Sequence, residues 1–278
     1  MLDRAPSNRE APSADLNSET RPVRFRGAGF MPKAGRYSGW VALLLMILIW
    51  QLAGSAGLVN SLFLPTPFAI ARAIWQLAIT GALWHHLSYS ILRIGTGWVL
   101  GTIAGVVVGF SIGLSSVARG VGITFISALF PIPKIALLPL LILWLGIGEE
   151  PKIATIALGV FFSTAISVYS GVDAVPRNLI RMAQSFNVPF HAIVSRVIWP
   201  GALPSILAGF RISASVALLL VVSAEMIGAE FGIGAFVLQA GNLMQTDQLL
   251  AGVVILSLFG LAVGKAINWL ETRLLHWR

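Results

Sequence analysis

The sequence lacks cysteine altogether and has few charged residues. Without cysteine the chain can form no disulfide, no thiolate metal site and no catalytic thiol. Only 11% of its 278 residues are charged, against about 25% in a soluble domain. In contrast, 56% are hydrophobic and the mean hydropathy is +0.84. This composition predicts a polytopic membrane protein of the all-α class.

Basic residues are concentrated at the start of the chain. The net charge is +8, and seven of the 19 Lys and Arg residues lie within the first 36 positions. Basic residues ahead of an apolar span are typical of a segment that stays in the cytoplasm. Residues 1–37 are also rich in Ser, Pro and Glu, which predicts a disordered cytoplasmic tail. Because no basic surface remains outside this tail, we expect a lipid bilayer and no nucleic acid as partner.

Six apolar segments of about the length that crosses a bilayer follow the tail. They run over 39–58, 87–114, 121–145, 153–172, 206–228 and 249–270, with a short interfacial helix over 68–79. Six spans place both termini on one side, and the distribution of Lys and Arg makes that side the cytoplasm. We therefore expect residues 38–278 to form one transmembrane domain with about six helices and cytoplasmic termini.

A polar segment, residues 173–204, separates the fourth and fifth spans. Helical spacing predicts an amphipathic helix over 174–186 and a second over 189–199, each too short to span. Asp173 is expected to cap the first helix, and Asn187 suits a left-handed turn between the two. The apolar residues of the first helix follow i, i+3, i+4 spacing: Leu179, Met182, Ala183 and Phe186. The pattern fits helices that lie on the membrane or a helix–turn–helix that docks a soluble partner.

Four further segments carry a family resemblance: PLLILWLGIGEEPK (139–152), PGALPSILAGFRI (200–212), SAEMIG (223–228) and LAG (250–252). Together they resemble the nitrate/sulfonate/taurine branch of ABC importer permeases, over about residues 40–275. The cytoplasmic loop of that family has Glu-Ala-Ala, three residues, Gly, nine residues, Ile, any residue and Leu-Pro. On this sequence the pattern starts at Arg181, where the family has glutamate, and Asn187 replaces its glycine. Ala183 and Pro200 match the pattern.

The resemblance implies a function and a set of partners. The chain would be the permease subunit of an ABC importer in the bacterial inner membrane. It would form the translocation pathway for a small solute such as a sulfonate, taurine or nitrate. Its partners would be a second copy of itself, two ATP-binding cassette subunits and an extracytoplasmic substrate-binding protein. The chain itself would be no enzyme and would hold no cofactor.

In that family the cytoplasmic loop docks in a groove of the ATPase subunit. The resemblance therefore assigns ATPase coupling to residues of the polar segment, and makes that segment a coupling loop. These residues are Arg177, Arg181, Ala183, Phe186, Asn187, Phe190, Val197 and Pro200.

Ionisable residues within the predicted spans include Arg93, Lys134 and Glu225; a charge is costly there and indicates a function. Arg93 and Glu225 lie some 6–9 Å from the outer ends of their spans, and we expect them to form an ion pair or to line the route. Lys134 follows Pro131 and Pro133. Prolines leave backbone carbonyls unpaired, and within a bilayer unpaired carbonyls are tolerated only beside protein or water. The third span is therefore the candidate lining of the pathway.

Five glycines recur at every fourth position of the second span, which predicts a close seam between two helices. They are Gly97, Gly101, Gly105, Gly109 and Gly113. GFSIG (109–113) has the letters of a nucleophile elbow but lies inside an apolar helix. GLAVGKA (260–266) is one residue short of a phosphate-binding loop and has Ala266 where a Ser or Thr would bind magnesium. Adjacent His85 and His86 point to different helix faces, so we expect no metal site.

Two other classes of protein remain as alternatives. A stand-alone secondary transporter would contain an internal repeat with matching broken helices, and the sequence shows none. An intramembrane enzyme would need paired acids, a serine dyad or a metal cluster within the spans. The apolar segments offer none of these.

Overall fold

The computed structural model describes residues 38–274, and the predicted tail over 1–37 lies outside this range. Throughout the described range the regular structure is helical, in agreement with the predicted all-α class. The helices are α1 (Ser38–Ser55), α2 (Pro67–Ile79), α3 (Ala82–Leu114), α4 (Ser116–Leu129), α5 (Leu138–Leu145), α6 (Glu150–Asp173), α7 (Arg177–Ser185), α8 (Phe190–Ile193), α9 (Trp199–Gly228), α10 (Ile233–Asn242) and α11 (Thr246–Leu274).

Four helices of the described range are long and apolar enough to cross a membrane. They are α3, α6, the continuous helix Phe190–Gly228 and α11. A bent pair formed by α4 and Lys134–Leu145 would make a fifth span. The predicted first span corresponds to α1, whose 18 residues extend about 27 Å, slightly less than the roughly 30 Å of a bilayer core. The described range thus supports four or five spans of the predicted six.

The predicted third span, 121–145, is two helices that meet at an angle of 86°. α4 ends at Leu129, and Pro131 and Pro133 follow in the break. Proline lacks the backbone N–H that would continue the helical hydrogen bonds, and its ring clashes with the preceding turn. A short 3₁₀ turn, Lys134–Leu137, then leads into α5. The predicted span is therefore broken, because the two closely spaced prolines together redirect the chain.

The sequence predicted a separate second helix in the polar segment, over 189–199. The structure shows no such separate element. α8 continues through a π-helical turn, Val194–Ile198, directly into α9, and the whole helix has 39 residues. The turn ends immediately before the first turn of α9, which contains Pro200. A wider π-helical turn accommodates a residue that cannot donate its hydrogen bond, so the helix passes this proline without ending.

The first helix of the polar segment, α7, forms nearly as predicted. It begins three residues later than predicted, and Pro176 stands at its N-cap without a side-chain hydrogen bond. Asp173 does not cap it, because its carboxylate binds Arg119 of α4. After α7 the chain reverses at Asn187, whose φ of 55° is the left-handed conformation that its residue type suggested.

Helix α6 forms the centre of the described bundle, because α3 packs along one side of it and α9 along another. Its residues Ile156, Val160 and Val168 are completely buried. Since α3 and α9 both pack on α6, side chains far apart in sequence meet at both ends of these three helices.

Candidate functional site

Polar side chains gather at the two opposite ends of α3. Arg93 lies near the start of this helix, and Arg119 follows its end in the next helix. The 20 residues between Arg93 and Gly113 correspond to about 30 Å at 1.5 Å per residue. The charged groups at one end are therefore separated from the polar segment at the other by about the thickness of a bilayer core.

The first group surrounds Arg93, whose side chain is 1% exposed. One guanidinium nitrogen donates to Glu225 Oε1 at 2.8 Å and to the carbonyl oxygen of Phe231 at 2.6 Å. Another donates to Glu149 Oε1 at 2.8 Å, and Nε also donates to this carboxylate. The structure thus brings Arg93 and Glu225 into direct contact and adds a second carboxylate, Glu149, that the sequence analysis did not predict as a partner.

Glu225 is enclosed on every side, with a side-chain exposure of 0%. Besides Arg93, it accepts hydrogen bonds from Ser90 Oγ at 2.8 Å and from the backbone N–H of Gly234 at 2.8 Å. A buried carboxylate is tolerated when a cation and hydrogen-bond donors replace its hydration shell, and all are present here.

Glu149 lies at the edge of this group, where its side chain is 36% exposed. The Nζ of Lys152 lies 3.3 Å from its Oε1 and also donates to the carbonyl of Gly148 at 2.8 Å. Hydrogen bonds from Arg93 hold the pKa of the Glu149 carboxyl below its usual range, so the group stays ionised at neutral pH. The positive charges of Arg93 and Lys152 therefore balance the negative charges of Glu149 and Glu225. We call these four residues, together with Ser90, the Arg93 cluster.

Three residues of α3 hold the turn between α9 and α10, residues 231–234. His86 Nδ1 accepts a hydrogen bond from the N–H of Gly232 at 3.2 Å. Ser90 Oγ accepts from the N–H of Ile233 at 3.0 Å, and Arg93 donates to Phe231. These three side chains recur at i, i+4 and i+7 and so share one helix face. The 231–234 turn is thereby fixed to α3 by consecutive backbone groups.

The other predicted pathway residues lie at the break after α4. Pro131 and Pro133 are exposed, and Lys134 is half-buried. The Nζ of Lys134 donates to the carbonyls of Leu129, Phe130 and Ile132 at 2.7 to 3.0 Å. These carbonyls lie at and just after the end of α4, so Lys134 acts as a side-chain cap for this helix end.

The second group is the polar segment, where α7 has two apolar faces. Ala183 is buried, and Ile180 beside it is half-buried; both belong to a core cluster with Ile193, Ile198 and other residues. The neighbouring face is exposed, with exposures of 41%, 56% and 77% for Leu179, Met182 and Phe186, and Phe190 at the start of α8 is 64% exposed. One face of α7 thus attaches the segment to the bundle, while the other presents an apolar surface.

The eight residues assigned to coupling therefore separate into two sets. Ala183 is buried and Val197 and Pro200 are half-buried, so these three hold the segment in place. The exposed set is Arg177, Arg181, Phe186, Asn187 and Phe190.

An ion pair at the base of the polar segment was not predicted. Arg119 donates to both oxygens of Asp173, with one distance of 3.1 Å, and also to the carbonyl of Gly113. It joins the start of α4 to the end of α6. The positions of the charged residues in the sequence could not predict this pair, because the partners are 54 residues apart.

The five glycines of α3 form a close seam with α6. A Cβ atom built on Gly105 would lie 2.8 Å from the carbonyl oxygen of Phe161 and 2.8 Å from Thr164 Cβ. The other four glycines are equally crowded. Opposite the ladder, α6 presents side chains at the same four-residue spacing: Ile156, Val160, Thr164, Val168 and Val172. The backbones approach closely because glycine leaves room for these branched side chains.

We expect Gly105→Leu to disrupt this seam. Overpacking typically lowers the free energy of unfolding by about 1–3 kcal/mol, and the carbonyl oxygen of Phe161 and the branched side chain of Thr164 leave little room for relief. The measurement is the melting temperature and yield of the purified chain. Gly95→Leu on the same helix is the control, because no atom lies within 4 Å of a Cβ built there. Equal stability of the two variants would contradict the seam.

Comparisons with known proteins agree on one class. A family model described as "Binding-protein-dependent transport system inner membrane component" matches residues 99–276. The putative aliphatic sulfonates transport permease protein SsuC of Bacillus subtilis (strain 168) is 36% identical over 271 residues, 92% of this chain and 98% of that protein. The taurine transport system permease protein TauC of Escherichia coli (strain K12) is 35% identical over 240 residues, 84% and 87% of the two chains.

Solved structures with the same fold also exist. A chain of the MetNI methionine ABC transporter in an inward-facing conformation has a TM-score of 0.55 at 19% identity, over 76% of this chain and 98% of that chain. A chain of an amino acid ABC transporter with histidines has a TM-score of 0.57 at 17% identity, over 71% and 96% of the two chains.

Proposed function

Since this chain belongs to the family of binding-protein-dependent transport system inner membrane components, we infer that it carries a small sulfonate across the membrane. It is the membrane-spanning permease of an ABC importer, a transport subunit, and the ATPase activity of such a transporter lies in a separate subunit. The relatives named for aliphatic sulfonates and taurine, 36% and 35% identical over most of the chain, carry the choice of substrate.

The substrate proposal is tested with the cognate binding protein. We expect it to bind taurine or a short alkanesulfonate, and the assembled transporter in proteoliposomes to take up the same compound. Nitrate serves as the competing small anion. A binding protein that binds nitrate and no sulfonate would overturn the substrate class but leave the permease assignment intact.

The assembly is proposed to contain two copies of this chain, two ATPase subunits and one binding protein. The exposed apolar face of α7 supports ATPase docking, because helix-in-groove binding uses anchors at helical spacing. A stand-alone secondary transporter would have no use for this face. ATP binding would move α7, and α6 and α9 would transmit that motion through the bilayer.

The pathway is proposed to run between the two copies, along surfaces that a single chain leaves exposed. Arg93 and Glu225 are each 1% exposed, so they lie inside one bundle and are not candidates to contact the solute in this state. The break with Pro131, Pro133 and half-buried Lys134 remains the candidate lining.

The orientation is proposed to put the polar segment and both termini in the cytoplasm. The absence of native cysteine makes a direct test simple, because an introduced cysteine is the only thiol. A membrane-impermeant thiol reagent added to intact cells should label Glu230→Cys and should label Ser185→Cys only after lysis; both positions are exposed. The reverse pattern would invert the orientation.

A further inference from the structure

Arg93 is shared by two carboxylates with unlike surroundings. Glu225 is completely enclosed and has two further hydrogen-bond donors besides Arg93. Glu149 is 36% exposed, and both cations that bind it, Arg93 and Lys152, approach from the bundle side. Separating a buried pair leaves an unpaired buried charge, whereas a partly exposed carboxylate can return to water. The Glu149 half of the cluster is therefore the half that can open.

The chain just before Glu149 is an exposed connection that turns at a glycine. α5 ends at Leu145, and the backbone then turns at Gly146, whose φ of 86° lies in the left-handed region that favours glycine. Ile147 is 98% exposed, so its side chain does not anchor this connection. Gly148 and Glu149 follow, before α6 begins. The ion pair with Arg93 attaches the α5–α6 connection to α3, while Lys152 of α6 binds both Glu149 and the carbonyl of Gly148.

The other half of the cluster is held firmly. His86, Ser90, Arg93 and Glu225 together bind four consecutive residues of the 231–234 turn. A Cβ at Gly232 would collide with the Glu225 carboxylate, so the turn also fits closely around it. Arg93 consequently links a fixed turn between α9 and α10 to a movable connection between α5 and α6.

We propose that Glu149 is a positioning residue for transport, and that its ion pair with Arg93 is a latch at the end of the bundle opposite the polar segment. The latch is closed in this structure and opens when the transporter turns outward to receive solute from the binding protein. This inference rests on the proposed function and orientation, because they make that end extracytoplasmic. Arg93 keeps Glu225 and the carbonyl of Phe231 when Glu149 leaves, so the core stays paired during opening.

The test uses the complete transporter in nanodiscs with Glu149→Gln, which keeps the shape of the side chain and removes its charge. Glu150→Gln is the matched control, because Glu150 takes part in none of the ion pairs found between residues 38 and 274. The reporter is Leu138→Cys, because Leu138 is completely buried in this structure and lines a small cavity together with Ile147 and Gly148 of the connection. A membrane-impermeant maleimide measures how often this position becomes accessible.

We expect Glu149→Gln to raise the labelling rate, and the ATPase rate without binding protein, about two- to fivefold, the range that a partly exposed ion pair can supply. Glu150→Gln should match the parent. Raising the salt concentration should speed labelling of the parent because salt screens the pair, and the Glu149→Gln variant should lose this response. A merely structural glutamate would not produce that salt dependence.

Two outcomes would overturn the latch. One is a Glu149→Gln complex with the labelling rate, ATPase rate and salt response of the parent. The other is loss of the assembled complex in Glu149→Gln while Glu150→Gln assembles, which would make the pair a structural requirement. Absence of sulfonate uptake by the parent complex would instead contradict the proposed function, and the labelling comparison would stand apart from it.

Discussion

Arg93→Met is expected to lower the free energy of unfolding by about 3–5 kcal/mol, the usual cost of removing one partner from a buried ion pair. Methionine fills similar space but leaves Glu225 enclosed without its cation and Glu149 facing it across the gap. A protein is typically stable by about 5–15 kcal/mol, so this loss would remove a large share of the stability. The measurement is thermal unfolding of the purified chain in detergent, together with its yield.

The pairing itself is isolated by a double-mutant cycle. Glu225→Gln alone should also lower the free energy of unfolding, because Arg93 then keeps only one ionised partner, Glu149. The double variant Arg93→Met with Glu225→Gln should be clearly more stable than the sum of the single losses predicts, since neither charge is left alone. Recovery should stay partial for two reasons. Glu149 still lacks its partner Arg93, and the donors Ser90 and Gly234 then bind a neutral amide oxygen in place of a carboxylate. Strictly additive losses would contradict an energetic coupling between the two residues.

Phe186→Asp is expected to release the ATPase subunit or to uncouple its hydrolysis from transport. Phe186 directly follows α7 and is 77% exposed, the largest exposure among the apolar residues of this face. An aromatic anchor in a groove commonly contributes about 2 kcal/mol or more to binding, which corresponds to roughly a 30-fold weaker complex when it is lost. The measurements are co-purification of the ATPase and stimulation of hydrolysis by loaded binding protein.

Two variants make this result specific. Ser185→Asp adds the same charge at the neighbouring exposed position and should leave co-purification unchanged. Ala183→Asp is unsuitable as a docking probe, because Ala183 is buried and the new charge would disturb the core beneath α7. If Phe186→Asp retained the ATPase and full coupling, α7 would only lie on the membrane surface, as the alternative interpretation of its pattern allows.

The apolar pattern predicted the membrane class, and most spans, because hydropathy over about 20 residues depends on composition alone. It could not predict the bend after α4, since three prolines in a hydrophobic run are compatible with a kinked span or a broken one. It also could not show that α8 and α9 are continuous. Pro200 looked like a boundary, and the π-helical turn that accommodates it has no signature in the sequence.

The candidate sites were predictable where one helix contains the whole signal. The glycine spacing of α3 indicated a seam from sequence, but the identity of α6 as its partner required the fold. Arg93 and Glu225 attracted notice because a charge inside a span is rare. Glu149 was missed as their partner because it lies just outside a span, where carboxylates are common. The inner position of Ala183 was missed because helical spacing cannot tell which of two apolar faces meets the bundle.

The central claim is that this chain transports solute only as the membrane subunit of an ATP-driven importer. The most direct measurement is uptake of labelled taurine or alkanesulfonate into proteoliposomes that contain the purified chain, with and without its ATPase subunit, ATP and the loaded binding protein. We predict saturable uptake only when all three are present, and loss of uptake when a non-hydrolysable ATP analogue replaces ATP. Solute uptake by the chain alone, driven by an ion gradient, would contradict this account and favour a secondary transporter.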